Sequence, residues 1–506
     1  MLYRTYSVTL IGVEVVEITI EVSVGNGVGI YLVGLPDSAV KESLLRVTTA
    51  LQRYEFRIPG RKIVINMAPA DIRKEGSIYD AAIAVGLLAA SEQIAPFESQ
   101  DFLIMGELSL DGLMRPVKGS LPVAINASAM GYKSCIFPYE SAKEAKDVDG
   151  VNVYGVKDFM ELLQVLRGEE AAKPFLVDRG DVTMDVPNYL YDFKDVKGQP
   201  FAKRGFEIAA AGGHNIILSG SPGSGKSFMS ACLPSILPPM SRKEAMETSV
   251  IYSVSGVNSV LSEGLLRQRP MRSPHHTASV VSLVGGGPNA VPGEISLAHN
   301  GVLYLDELPQ FSAHTLDILR QPLEDRKISI SRARYKVTYP SSFMLVGSMN
   351  PCPCGYAGDE NGRCVCTEGV INRYKSRLSG PLIDRIDLFV NVQPVPREML
   401  LSEVAEEASE AIALRVKQAR DAQQERFKDL QYSCHTNAQM SQRELKQFCV
   451  VDRECAPVLS ELIDRYSLSA RAYNRVLKVA RTIADLKGEE NISLSNILEA
   501  VQYRFN

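Results

Sequence analysis

The chain has 506 residues, which at roughly 150 residues per domain predicts about three domains. Apolar residues make up 45% and charged residues 23% of it, a composition that excludes disordered, collagen-like and coiled-coil proteins. The net charge of −4 excludes a basic protein that coats nucleic acid, so any charge that binds DNA must be local.

The beginning of the chain predicts neither a signal peptide nor a membrane span. Glu14, Glu17 and Glu21 interrupt its apolar pattern, whereas a signal peptide needs an uncharged apolar core after a basic start. The 9 cysteines are too few for a disulfide scaffold. We therefore expect a protein of the reducing cytoplasm that has no membrane partner.

Residues 1–165 predict an α+β domain. Residues 13–22 alternate between apolar and polar side chains, which is typical of a strand. A turn at residues 25–27 and a second strand at residues 29–34 predict a hairpin. The sequence then predicts a helix, a strand and an apolar helix, at residues 37–54, 61–67 and 79–90. This mixed order favours an α+β fold.

The rest of the chain divides by composition and period. Residues 166–200 are charged and interrupted by Gly and Pro, which predicts a linker. In residues 201–395, short β runs alternate with helical stretches, the pattern of an α/β domain with a parallel sheet. Residues 396–506 follow the helical period almost throughout. The candidate helices are 401–427, 442–449, 456–466, 470–486 and 494–503.

The strongest motif is a phosphate-binding loop of the form GxxxxGK[ST]. It follows an apolar strand and precedes a helix, as that motif requires. Lys226 would reach the β- and γ-phosphates of ATP, and the Ser227 hydroxyl would bind Mg²⁺. The nucleotide-binding residues would be Gly220, Ser221, Pro222, Gly223, Ser224, Gly225, Lys226 and Ser227.

Polar residues follow two later strands of the same domain. Asp306 and Glu307 end an apolar run, at the edge where α/β sheets bind their ligands. Asp306 would hold Mg²⁺, and Glu307 would orient and deprotonate the attacking water. Asn350 ends the next apolar run and would hold that water beside the γ-phosphate.

Two arginines complete the candidate catalytic set. Arg385 follows a Ser-Gly-Pro turn near the edge of the domain, which suits a finger that reaches the site of a neighbouring subunit. Arg471 begins a C-terminal helix and would contact the γ-phosphate within its own chain. The sequence alone is also compatible with each of these arginines being an ordinary surface residue in an ion pair.

Four cysteines form the pattern CxC-x9-CxC around a glycine-rich loop. Four thiolates that return across such a loop match a tetrahedral, structural zinc site, although CxC is tighter than the usual spacing. Reduced cysteines without a metal, or a redox pair, are the alternatives. The predicted zinc ligands are Cys352, Cys354, Cys364 and Cys366.

Two basic loops are candidate DNA contacts. Arg332, Arg334 and Lys336 lie in an alternating stretch that predicts a hairpin, which in a ring would point into the pore. Arg272 lies in a second basic loop, just before His275 and His276. A solvated hairpin without a ligand is the alternative.

The order of these motifs resembles that of AAA+ ATPases. The resemblance makes Lys226 the Walker A lysine, Asp306 and Glu307 the Walker B pair, Asn350 sensor 1, Arg385 the arginine finger and Arg471 sensor 2. The strings at residues 272–277, 285–287, 292–301, 350–355 and 480–486 resemble the magnesium chelatase-like ComM/YifB family. This family implies a hexameric ring ATPase that uses ATP and Mg²⁺. It also implies a helicase on single-stranded or branched DNA that promotes branch migration in recombination and natural transformation.

Residues 1–165 resemble the Lon protease-like domain of that family, without an evident catalytic dyad. Residues 74–80 and 106–112 carry the likeness. Ile78 or its neighbours stand where Lon-type proteases have the nucleophilic serine, and residues 120–122 fall where the partner lysine belongs. Ser77 has no base to activate it, so we predict a structural or binding domain. A C-terminal helical lid completes the architecture that the resemblance implies.

Three functions remain open from the sequence. The first is an ATP-driven motor on DNA, which the basic loops favour. The second is a metal-insertion motor like a magnesium chelatase subunit, which would need a partner complex. The third is an ATP-dependent Lon-like protease.

Overall fold

The computed structural model has an α+β region, a parallel-sheet region and a set of C-terminal helices, which confirms the predicted fold class. The residues it describes are 1–176, 189–257, 261, 264–287, 290–331, 336–358, 362–400, 405–430, 434–452, 455–466 and 468–505. Within these ranges, no helix combines the length and apolar character needed to cross a membrane.

The α+β region begins with long strands and ends with a helix at Leu166. Its strands are β1 (Leu2–Ile11), β2 (Glu14–Gly25), β3 (Gly29–Val33), β4 (Lys62–Ala68), β5 (Phe102–Ile104), β6 (Glu107–Leu108), β7 (Met114–Arg115), β8 (Ser134–Pro138) and β9 (Asn152–Val156). Its helices are α1 (Ser38–Arg53), α2 (Asp80–Ala90), α3 (Ser120–Ala127), α4 (Tyr139–Ala142) and α5 (Phe159–Leu166).

The hairpin predicted between residues 13–22 and 29–34 is wrong. The four-stranded sheet has the order β1-β2-β4-β3, so β4 separates β2 from β3. The hairpin partner of β2 is β1, paired antiparallel from Leu2 opposite Ser23 to Ile11 opposite Glu14. Alternation predicts a strand but carries no information about its neighbour, which is set by the long-range return of β4.

Helix α2 is the centre of the α+β core. All of its residues are buried, as expected of a helix that is apolar on every side. Its one carboxylate, Asp80, accepts a hydrogen bond of 2.8 Å from Nε of Arg46 and another from the Ser43 hydroxyl. These partners offset the cost of burying a charge at the start of the helix.

The parallel-sheet region contains short elements around one central sheet. Its helices are α6 (Pro200–Gly212), α7 (Lys226–Cys232), α8 (Arg242–Ser255), α9 (Val280–Val284), α10 (Glu294–Leu297), α11 (Ala313–Ile318), α12 (Arg320–Asp325), α13 (Glu368–Lys375), α14 (Gly380–Ile383) and α15 (Arg397–Leu400). Its strands are β10 (Ile216–Gly220), β11 (Met271–Arg272), β12 (Gly285–Gly286), β13 (Val291–Pro292), β14 (Val302–Leu305), β15 (Lys327–Ser331), β16 (Lys336–Pro340), β17 (Met344–Met349) and β18 (Leu388–Val392).

The central sheet has the order β11-β14-β17-β10-β18, and every pair is parallel. Both of its faces are covered: Ile216 and Leu218 of β10 belong to one apolar cluster, and Ile217 belongs to another. Such a sheet needs nearly continuous apolar strands, which is what the sequence has. The loops that follow β14, β17 and β10 therefore meet at one edge.

The C-terminal helices are α16 (Ser409–Phe427), α17 (Gln442–Phe448), α18 (Cys455–Tyr466), α19 (Ala470–Lys487) and α20 (Leu494–Phe505). They share one apolar cluster with α6 and β10. His214, just before β10, pairs with Thr482 of α19 at 2.8 Å. This helical unit thus packs at the amino-terminal end of β10, the end opposite the phosphate-binding loop.

The α+β region is docked on the parallel-sheet region by buried contacts. The carboxylate of Glu144 accepts a hydrogen bond of 2.8 Å from the hydroxyl of Ser253 in α8 and another of 3.1 Å from the backbone N–H of Leu121. Burial raises the pKa of Glu144. A second contact joins the turn between β1 and β2 to β16: Ile11 and Val13 pack on the cluster that contains Val337.

Candidate active site

The loop between β10 and α7 surrounds the Lys226 ammonium group. Gly223 and Gly225 adopt φ values of +77° and +91°, a backbone conformation that favours glycine. Nζ of Lys226 donates hydrogen bonds to the carbonyl oxygens of Gly220, at 2.7 Å, and Ser221, at 2.9 Å. Burial lowers the pKa of Lys226, and nearby Asp306 opposes that effect.

A hydroxyl and a carboxylate meet beside this loop. Oγ of Ser227 donates to Oδ2 of Asp306 at 3.2 Å, and both side chains are exposed. Oxygen ligands of this kind, one at the start of α7 and one just after β14, suit Mg²⁺, which takes few protein ligands and completes its shell with phosphate and water. The residues therefore fit the metal that the sequence predicted.

Asn350 lies between the loop and the carboxylates. It follows β17, which stands between β10 and β14 in the sheet. Its Oδ1 accepts a hydrogen bond of 3.3 Å from Nζ of Lys226. The structure thus brings five predicted side chains to one edge of the sheet, namely those of Lys226, Ser227, Asp306, Glu307 and Asn350.

The sequence reasoning missed Ser348. Its buried hydroxyl donates to Oδ1 of Asp306 and accepts a hydrogen bond of 3.3 Å from the backbone N–H of Glu307. These two hydrogen bonds fix the positions of Asp306 and Glu307 relative to β17. A signal was available, since Ser348 stands two residues before Asn350 on a strand, which places both side chains on one face.

The sequence reasoning also missed the proximity of His276 to Glu307. Nδ1 of His276 lies 3.9 Å from Oε2 of Glu307, and the imidazole is tilted by 35° against that of His275, with ring centroids 4.1 Å apart. Glu307 itself has φ +51°. The loop after β11 therefore contacts the candidate general base, although nothing in the sequence links the two segments.

Arg385 and Arg471 line one cavity at the other end of the sheet. The cavity measures about 470 Å³ and is also lined by Asn215, which precedes β10. Arg385 donates to the carbonyl of Pro381 at 2.7 Å and pairs with Glu324, so the ion pair that the sequence left open is present.

Arg471, which the sequence reasoning assigned to the γ-phosphate of its own chain, lies in this cavity rather than beside the phosphate-binding loop. β10 spans five residues between Asn215 and the phosphate-binding loop, a distance of about 16 Å at the rise of a strand. Arg471 lies at the amino-terminal end because α19 packs there, and Lys226 lies at the carboxyl end. Neither arginine is brought to the five side chains of its own chain.

The cavity is rich in cations. Nζ of Lys478 donates to the carbonyl of Ala438 at 3.0 Å, and burial lowers the pKa of Lys478 to about 8. Burial lowers the pKa of Arg326 to about 10. Asp387 is held below the usual carboxylate pKa because Arg475 and His214 face it, although burial alone would raise that pKa. An anionic group that entered this cavity would meet several partly desolvated cations.

The four clustered cysteines come together as predicted. Their sulfur atoms all lie within 4.8 Å of one another, and Sγ of Cys352 is 3.3 Å from Cys354 and 3.8 Å from Cys364. Sulfur atoms that share a zinc ion at about 2.3 Å lie about 3.8 Å apart, so the cluster fits a tetrahedral site. Backbone N–H groups of Tyr356 and Val365 lower the pKa of Cys354 to about 6, which favours the thiolate.

The predicted DNA contacts have mixed positions. Arg332 and Arg334 lie outside the described residues. Lys336 begins β16 and is exposed, and β15 and β16 pair as the predicted hairpin. Arg272 is engaged within the chain, since its guanidinium donates to both oxygens of Glu294 at 2.6 Å and 2.8 Å.

The Lon-like region keeps no evident base for Ser77. Its hydroxyl donates to the carboxylate of Glu107, a weak base for a serine. Lys74 is fully buried and donates to the carbonyl of Ile72 at 2.8 Å, and burial lowers its pKa. These contacts give Ser77 no activated partner among the described residues.

Comparison with known proteins gives a consistent match along the chain. Residues 20–141 match the family described as subunit ChlI of Mg-chelatase, residues 192–400 match magnesium chelatase subunit ChlI, and residues 406–504 match its C-terminal part. The uncharacterized protein YifB of Salmonella typhimurium is 42% identical over 498 residues, which cover 98% of this chain and 95% of YifB.

Two further relatives are informative. Competence protein ComM of Haemophilus influenzae is 41% identical over 503 residues, which cover 99% of this chain and 96% of ComM. Lon protease 2 of Bacillus subtilis is 31% identical over 144 residues, which cover 28% of this chain and 26% of that protease.

Proposed function

The chain belongs to the magnesium chelatase-like AAA+ ATPase family of ComM and YifB, and from this premise we propose that it is a ring-forming motor that uses ATP hydrolysis to move on DNA. The substrate would be single-stranded or branched DNA, and the work would be branch migration in recombination or transformation. The motor would act in the cytoplasm.

The observation that carries the ATP hydrolysis in this proposal is the meeting of five side chains at one sheet edge. Lys226 would bind the β- and γ-phosphates of ATP, and Ser227 and Asp306 would hold the Mg²⁺ that neutralises phosphate charge. Glu307 would accept a proton from the attacking water, and Asn350 would fix the position of that water. Hydrolysis therefore depends mainly on positioning and charge stabilisation.

The cavity with Arg385 and Arg471 supports an oligomer. Because the cavity that both arginines line also borders Asn215, at the end of β10 away from the phosphate-binding loop, the two arginines would serve the nucleotide of a neighbouring subunit. A repeated head-to-tail contact generates a ring when its rotation closes, and we propose a closed hexamer. Arg385 would leave Glu324 and stabilise the charge that develops on the γ-phosphate.

Two features support DNA as the partner. Lys327 and Lys336 are exposed at the two ends of the β15–β16 pair, and Arg332 and Arg334 lie in the segment between these strands. Positive charges on a hairpin that points into a ring pore would follow the phosphate backbone of DNA. The printed name of ComM, a competence protein, points in the same direction.

We further propose that Cys352, Cys354, Cys364 and Cys366 bind one structural Zn²⁺. The metal would link the two ends of the loop, since Cys352 follows β17 and Cys366 precedes α13. The spacing of the sulfur atoms supports this ligand set.

The proposal is tested by branch migration of a synthetic four-way DNA junction. We expect ATP-dependent conversion by the wild type and none by Lys226→Ala. Lys336→Glu should weaken DNA binding and lower the salt dependence by about one phosphate contact, whereas Lys417→Glu, exposed on α16, should not. An ATPase that ignores DNA and responds to a chelatase-type partner would favour the metal-insertion motor, and ATP-dependent degradation of casein would favour the protease.

A further inference from the structure

We call residues 352–366, which carry the four cysteines, the cysteine loop. Its first turn lies directly against the phosphate-binding loop. Cys352 follows Asn350 by two residues, and it is fully buried. The backbone then turns, with the N–H of Gly355 donating to the carbonyl of Cys352 at 3.0 Å. This turn contains Cys352 and Cys354, and it lies next to Pro222, a residue of the phosphate-binding loop.

Gly355 is the point of contact. A Cβ atom at this position would lie 2.6 Å from Cδ and 2.7 Å from Cγ of Pro222, and 3.9 Å from Cγ of Asn350. Gly355 also has φ +88°, which favours glycine. Hence the cysteine loop packs without a gap on Pro222, and any shift of the turn would be passed to the phosphate-binding loop.

Asn350, which precedes this turn, makes a second contact with the phosphate-binding loop. Oδ1 of Asn350 accepts a hydrogen bond from Nζ of Lys226, so a residue two positions before Cys352 contacts the lysine of the phosphate-binding loop. Two independent contacts, Gly355 with Pro222 and Asn350 with Lys226, therefore connect one loop to the other.

We propose that the cysteine loop is a metal-dependent support of the nucleotide site, so that zinc in the four-cysteine cluster sets the affinity for ATP. This proposal rests on the zinc site proposed above. Without the metal, the chain between Cys352 and Cys366 has no covalent link across it, and its conformational freedom rises. The turn at Gly355 would then no longer hold Pro222 and Asn350 in the positions that bind phosphate. Gly355 is thus a positioning residue.

A matched pair of substitutions tests the contact. Gly355→Ala and Gly358→Ala both place a side chain at positive φ, +88° and +82°, but among the described residues a Cβ at Gly358 meets nothing within 4 Å. We expect Gly355→Ala to weaken binding of a fluorescent, non-hydrolysable ATP analogue about tenfold, and Gly358→Ala by less than about twofold. Equal effects of the two substitutions would overturn the contact.

A double variant guards against a simple folding defect. Pro222→Ala removes the Cγ and Cδ atoms that the new methyl group would meet. Gly355→Ala should therefore cost less affinity in the Pro222→Ala background than in the wild type, which a double-mutant cycle measures. An unchanged cost would contradict the proposed contact.

Removal of the metal tests the support itself. The full-length protein is treated with a chelator, returned to buffer with Mg²⁺, and assayed for zinc content and for affinity for the same ATP analogue. We expect about one zinc per chain before treatment, roughly tenfold weaker binding after it, and recovery when Zn²⁺ is added. Absence of bound zinc would refute the zinc site, whereas bound zinc with unchanged nucleotide affinity would refute only the coupling. Neither readout depends on DNA.

Discussion

At the scale of single residues, Lys478 carries a largely buried charge in the cavity that Arg385 and Arg471 also line. The Lys478 ammonium group donates a hydrogen bond to the neutral carbonyl of Ala438, and its pKa of about 8 lies below the ordinary lysine value of about 10.4. The folded chain therefore binds fewer protons than the unfolded chain between these two pH values. Its stability should rise with pH across that window, and below about pH 8 the full cost of a buried charge remains.

Lys478→Met should remove this cost. At pH 7 we expect the variant to be more stable than the wild type by on the order of 3 kcal/mol, with the gain declining toward zero near pH 10. Thermal melting of both proteins at the two pH values, without nucleotide, measures the difference. Lys417→Met on the exposed face of α16 is the control and should show no such trend. A gain that is equal at both pH values would show that packing, rather than charge, causes it.

At the scale of elements, the turn between β1 and β2 packs against the hairpin formed by β15 and β16, and we call this contact the joint. Gly12 has φ +65°, and a Cβ there would lie 2.1 Å from Cγ1 of Val337 in β16. Val337 is paired with Ile330 across the hairpin, and both are buried. The Lon-like region thus contacts the β15–β16 hairpin through this turn.

Gly12→Ala should disturb this joint. We expect it to destabilise the protein by about 1–3 kcal/mol, the usual cost of overpacking, measured by urea unfolding. Gly131→Ala is the matched control because its φ is +95°, yet no described atom lies within 4 Å of a Cβ there. If the two variants unfold at the same urea concentration, the joint contributes nothing beyond backbone strain.

Local chemistry explains which elements were predictable from the sequence. The phosphate-binding loop, the strand before Asp306 and the cysteine pattern each depend on residue types at fixed spacing, so a short window contains the information. The partner of β2 and the position of Arg471 depend on contacts between distant segments, namely β4 and the packing of α19. The bond from Ser348 to Asp306 likewise depends on register, since Leu305 is paired with Gly347.

At the scale of the whole molecule, the two ends of the sheet carry complementary halves of one proposed catalytic site. A mixing experiment tests this. Lys226→Ala lacks the phosphate-binding lysine and Arg385→Ala lacks the finger, so each alone should have little ATPase activity. In a random mixture of equal amounts, a site is complete when an Arg385→Ala subunit, which keeps Lys226, is next to a Lys226→Ala subunit, which keeps Arg385. About one site in four meets this condition, so we expect about a quarter of wild-type ATPase activity. No recovery in assembled mixtures would place the arginine in its own chain's site.

The central claim is that DNA is the substrate on which ATP hydrolysis acts. The most direct test is the rate of ATP hydrolysis by the full-length protein without DNA, with single-stranded DNA and with a four-way junction, at one salt concentration. A motor on DNA predicts that the rate rises at least several-fold with DNA and that Lys226→Ala abolishes it under all three conditions. A rate that is the same under all three conditions, in protein that binds ATP and assembles, would contradict the claim.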